Sequence, residues 1–160
     1  MELFLAQNHS ALTHLPIAAA ILAAMSAVAA LFTSRKEKEI VFMWALLSIT
    51  AFVTVLPTVA TGVVAAKGRF NEDGKPYIEG GILVGNSPAN SRILRHEVLG
   101  TTGSALAGVL ALLGLAFLRG RMPNKYLIAL LALALAVVWG LGGHLGGKEI
   151  WGADTFPALK

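Results

Sequence analysis

YLIALLALALAVVWGLGGHL, residues Tyr126 to Leu145, contains no Asp, Glu, Lys or Arg. A helix of about 20 apolar residues, rising roughly 1.5 Å per residue, crosses the hydrocarbon core of a bilayer. The solvent this stretch suits is therefore lipid. Working back along the chain, three more runs share the property: Ala11 to Phe32, Ile40 to Ala66 and Val98 to Leu118. The expected fold is all-α, an integral membrane four-helix bundle running up-down-up-down. It forms one domain over residues 1–160, with an outer loop at 67–97.

Composition agrees. The 160 residues are 56% hydrophobic and only 14% charged, and mean hydropathy is +0.69, outside the balance of a water-soluble domain. The net charge of +4 does not point to nucleic acid, because the cations sit in short segments between apolar runs. There is no Cys, which excludes disulfides, thiolate metal sites, iron–sulfur clusters and covalently attached haem of the c type. Any cofactor must be held by His, Met, carboxylates or backbone.

The cations also orient the bundle. Thr33 to Glu39 carries Arg35, Lys36 and Lys38, and Arg119 to Lys125 carries Arg119, Arg121 and Lys125. Short basic connectors stay in the cytoplasm. The longer second connection, Lys67 to Glu97, mixes Lys67, Arg69, Lys75, Arg92 and Arg95 with Glu72, Asp73, Glu79 and Glu97. That places it, and both termini, on the outer (periplasmic) side. The segment Asn71 to Pro76 reads as a turn, with room for a short hairpin over Tyr77 to Val84. Met1 to His9 lacks the basic region of a signal peptide, so the first run is expected to remain as a span.

The informative feature is histidine placement. His14 lies near the start of the first span, His96 opens the third, and His144 lies near the end of the fourth. His144 follows Tyr126 by about 27 Å of helix rise. Three helices thus bring imidazoles to one membrane depth on the outer side, with His9 just before the first span. Polar groups at that boundary need solvation, pairing or ligation. Any one interfacial imidazole has a plain role in bonding loops and headgroups, but the grouping suggests a shared site. Two imidazoles facing each other across a bundle bind haem iron axially without covalent attachment, the b-type arrangement. Arg92, Arg95 and Lys148 are placed to meet propionates or simply to anchor the interface. His9 and His14 are about 140° apart around a regular helix, so His14 is the better candidate unless Pro16 disturbs the backbone near Leu12. A copper or zinc site formed by His9, His14 and His96 is a further reading.

Small residues cluster at the same end: Gly100, Gly103, Ser104 and Gly108 in the third span, and Gly140, Gly142, Gly143, Gly146 and Gly147 around the end of the fourth. Either they admit a flat ring or they let helices pack closely. In the second span, Thr54, Thr58 and Thr61 flank Pro57, and their hydroxyls are expected to occupy carbonyls freed by a proline kink. Trp151 fits an outer interfacial belt, while Trp44 and Trp139 are left between the interior and lipid.

The motif His9-Ser-Ala-Leu-Thr-His14-Leu15-Pro16-Ile17, followed by Thr61-Gly62, His96, Gly146-Gly147 and Ile150-Trp151, resembles the small bacterial membrane proteins of domain of unknown function family 2231. The resemblance runs over nearly the whole chain, with departures at Ser10 (usually Pro), Leu15 (often Phe) and Ala153 (often His). It implies four spans in the bacterial inner membrane and a redox association, since similar domains occur joined to Rieske-type or cytochrome-like modules. The expected function is electron transfer through non-covalent haem b. His14 and His96 are the first candidates as ligands, with His144 as substitute for either, and the setting is a subunit of a larger redox complex. The expected role is a carrier rather than a stand-alone enzyme. The alternative is a cofactor-free subunit that anchors or stabilises a membrane complex.

Overall fold

The computed structural model describes the backbone of residues 2–67, 78–79, 82–83 and 88–151, and side chains within 12–62 and 95–145. Four helices dominate: α1 (Glu2–Phe32), α2 (Glu37–Lys67), α3 (Pro88–Leu118) and α4 (Lys125–Trp151). Between α2 and α3, β1 (Ile78–Glu79) and β2 (Ile82–Leu83) pair antiparallel. Each helix contains a stretch long and apolar enough to cross a membrane: Leu12–Phe32, Glu37–Gly62, Arg95–Leu118 and Lys125–Leu145. The chain is a multi-pass membrane protein by that measure.

The helices outrun the apolar runs. Helix α1 begins at Glu2 and α3 at Pro88, so the last part of the expected 67–97 loop is helical. Hydropathy marks where a helix meets lipid, whereas backbone hydrogen bonding continues into water. Pro88 suits a first helical position, where a missing N–H is no loss.

Helix α2 packs against α1 and α3, and α4 packs against α3 and closes onto α1. Small side chains line the contacts. On α1 the buried face is Ala19, Ala20, Ala23, Ala24, Ala27 and Ala30; on α2 it is Val41, Trp44, Ala45, Ser48, Ala51 and Val55. These recur every three or four residues, one face of each helix. Larger side chains such as Met25, Leu112, Leu130 and Val137 are exposed, where acyl chains would cover them. In lipid no hydrophobic force draws helices together, so close van der Waals contact between small residues does that work. Backbone meets backbone at Gly114, where a Cβ would lie 3.1 Å from the Ala45 carbonyl oxygen and 3.2 Å from its Cα.

The short connectors close locally. Helix α3 ends with Gly120 at φ +84°. The Gly120 N–H donates to the Phe117 carbonyl at 2.8 Å and the Arg121 N–H to Ala116 at 3.0 Å, the paired bonds of a Schellman terminus. Asn124 caps α4: its Oδ1 accepts from the N–H of Tyr126 at 2.9 Å and of Leu127 at 3.3 Å, satisfying donors the helix leaves free. Lys125 Nζ lies 3.4 Å from Glu37 Oε2, joining the starts of α4 and α2.

Candidate functional site

The far end of the bundle is held by tertiary contacts. Helix α1 continues through Pro16, which has no N–H for the carbonyl four residues earlier, that of Leu12. Thr58 Oγ1 of α2 lies 3.2 Å from that Leu12 oxygen and 3.0 Å from its own Thr54 carbonyl, so its single proton serves the two. This changes the expected role of the threonines. The hydroxyl bonds seen run to Leu12, freed by Pro16 of the neighbouring helix, and to carbonyls of α2 itself, as in Thr54 to Thr50 at 2.8 Å and Thr61 to Pro57 at 3.0 Å. Ordinary back-bonding of a hydroxyl to the preceding turn explains the latter.

His96 is the histidine built into this end. It is half-buried, and its Nδ1 lies 2.8 Å from the Gly142 carbonyl oxygen of α4. A carbonyl only accepts, so Nδ1 carries the proton and donates. In the neutral ring this leaves the Nε2 lone pair free, the form in which imidazole ligates iron. The position follows from helical phase. The buried seam of α3 passes through Gly103, Ala107, Leu110 and Gly114, and His96 lies two turns before Gly103 on the same line.

His14 and His144 are exposed. Each lies two residues from a buried position, Pro16 and Gly142 respectively, and two residues are about 200° around a helix. Both therefore point outward from the bundle, and the three imidazoles do not converge in its interior. Among the described residues no three His, Asp or Glu side chains gather as a metal site. Arg95 is exposed. His9 and Arg92 lie on α1 and α3, and Lys148 on α4, with side chains outside the described residues.

Several of the glycines are occupied by neighbours. The Trp139 indole fills the place a Cβ would take at Gly103, and Ile17 Cδ1 would stand 2.9 Å from a Cβ at Gly143. Leu99 Cβ would lie 3.4 Å from one at Gly142, and the Phe52 ring 3.3 Å from one at Gly108. At these four positions the small residue is a packing device. Gly100 and Gly140 have nothing within 4 Å of the Cβ position. Gly103 and Gly143 thus leave no open cleft for a macrocycle between the packed helices.

Trp44 and Trp139 both pack inside, at 0% and 5% exposure. The sequence did not single out Ser48, which is fully buried beside Trp44 on the α2 seam; its Oγ and the Trp44 Nε1 have no hydrogen-bond partner among the described residues. Its place on the line Val41, Trp44, Ser48, Ala51 was the available signal. No protein-family model, curated protein or solved structure matches the chain.

Proposed function

We propose that this protein is a membrane electron carrier that would hold haem b at the outer rim of the bundle, with His96 as the first candidate ligand and the exposed His14 and His144 as candidates for a second. The observation that supports this reading is the His96 Nδ1 bond to Gly142, which holds the ring against α4 and, with Nδ1 as the donor, leaves the lone pair of the neutral ring on Nε2. The bound iron would supply one-electron chemistry. The chain's own residues anchor and orient: α4 sets the His96 tautomer through a backbone oxygen, and Trp139 in the Gly103 niche keeps water out beneath it. Arg95, with Arg92 one turn earlier on α3, provides cations for the acidic edge of the group.

In this reading the helices run up-down-up-down, with both termini on the outer side of a bacterial inner membrane. Support comes from the cationic connectors, Arg35, Lys36 and Lys38 in one and Arg119, Arg121 and Lys125 in the other. Support for antiparallel neighbours comes from the register of α2 on α3, in which Ala45 meets Gly114 and Phe52 meets Gly108. The resemblance to family 2231 supports the inner membrane and a larger redox complex as partner.

A second reading, a cofactor-free anchoring subunit, draws on the close packing of Trp139, Ile17 and Phe52 against Gly103, Gly143 and Gly108. In that case the His96 bond serves only to tie α3 to α4. A reduced-minus-oxidised visible spectrum and a pyridine haemochrome assay on protein purified in mild detergent separate the two. Sharp b-type bands with about one haem per chain are expected. Colourless, folded protein from haem-replete cells would remove the haem assignment and leave the anchoring role or a histidine-held copper or zinc site.

A further inference from the structure

The opposite end of the bundle carries a groove of about 460 Å³, lined by Lys38, Glu39, Phe42 and Met43 of α2 and by Phe117 of α3. Its walls change character with depth. Lys38 and Glu39 stand in the first turn of α2, where the apolar span begins, and Phe42 and Met43 follow one turn further into the hydrocarbon. A polar lip above an apolar floor, at the level where headgroups give way to acyl chains, matches the profile of a phospholipid rather than of a soluble ligand.

Charge decides which phospholipid. Arg35, Lys36 and Lys38 at the lip of α2, and Arg119 and Arg121 just beyond Phe117, are all exposed. Of the two carboxylates nearby, Glu37 is engaged by Lys125 at 3.4 Å, leaving Glu39 as the anion in the lining. The Schellman turn at Gly120 fixes where Arg119 and Arg121 leave the helix, so their side chains start within two to four residues of the groove floor. Lys and Arg reach from such positions to lipid phosphates while their stems lie on apolar surface. Phe and Met make an adaptable floor for a flexible chain.

We infer that this α2–α3 groove is a binding site for an anionic phospholipid of the leaflet facing the short connectors. The inference needs only the membrane-spanning bundle and is independent of haem. It is tested with the full chain in detergent micelles, measuring by native mass spectrometry how strongly dioleoyl-phosphatidylglycerol and dioleoyl-phosphatidylcholine are retained. Phosphatidylglycerol should be held about tenfold more tightly, and the triple variant Lys38→Gln, Arg119→Gln, Arg121→Gln should reduce the preference to about twofold or less. These side chains are exposed, so the variant keeps its packed core. Phe117→Ala should weaken retention of both lipids while leaving the preference in place. Equal retention of the two lipids, a preference untouched by the triple variant, or equal stabilisation by inorganic phosphate alone would overturn the assignment.

Discussion

The two ends of this bundle are closed by different physics. At the connector end, closure is mainly local: Gly120 turns the chain out of α3 and Asn124 caps α4, with the partly exposed Glu37–Lys125 pair as the one described ion pair between two helix starts. At the histidine end, closure is tertiary. Thr58 of α2 bonds the carbonyl that Pro16 frees on α1, His96 of α3 bonds Gly142 of α4, and Trp139 lies in the Gly103 niche. Local devices tolerate change around them because each involves one stretch of chain. Tertiary ones require two helices to keep their register, and that end is also where the candidate ligands lie. A site that must hold an imidazole in one tautomer benefits from that constraint.

The largest effect is expected where backbone meets backbone. Gly114→Leu sets a side chain against the Ala45 carbonyl and Cα, which cannot rotate aside, and should destabilise the α2–α3 contact by about 1–3 kcal/mol. Unfolding by SDS titration measures it. Gly140→Leu, at an exposed position with nothing within 4 Å, should stay within about 0.5 kcal/mol of the parent. Equal losses at both glycines would mean that the close α2–α3 approach is not a source of stability.

At the histidine end, Thr58→Val strands the Leu12 oxygen and should cost about 1–2 kcal/mol. Pro16→Ala restores an N–H to that oxygen, so the same change in the Pro16→Ala background should cost clearly less. A double-mutant cycle with no coupling would separate Thr58 from Pro16. His96→Ala removes the α3–α4 bond and should lower stability by about 0.6 kcal/mol, the usual size for such a bond in a bilayer. Ser48→Ala should be neutral or slightly stabilising, because its hydroxyl is buried without a described partner. Lys125→Gln should cost between 0 and about 1 kcal/mol, fading in high salt; both side chains of that pair are 29% exposed.

The same division explains what could be read from sequence. The four membrane helices were legible because lipid demands long uncharged runs, and Tyr126 to Leu145 alone shows the rule. Their true ends were not, since the helix from Glu2 runs on through Gln7, Asn8, His9 and Ser10, and that from Pro88 through Asn90, Ser91 and Arg92, polar stretches that interrupt an apolar run. Counting rise along each span also put His96 level with the end of α4, where it meets Gly142. Histidine direction required phase: His96 lies on the line through Gly103 and Ala107, while His14 and His144 fall two residues out of step with Pro16 and Gly142. The partner of Thr58 could not be read at all, because it sits 46 residues away on another helix.

The proposed redox group sits at the histidine end, with His96 first among its candidate ligands. Its most direct test is the reduced-minus-oxidised spectrum of the protein and of His14→Ala, His96→Ala and His144→Ala, each purified with its fold intact. Haem held by His96 gives b-type bands in the parent, their loss or shift in His96→Ala, and the same in one of the other two variants. A colourless parent, or a spectrum that His96→Ala leaves unchanged, would contradict it.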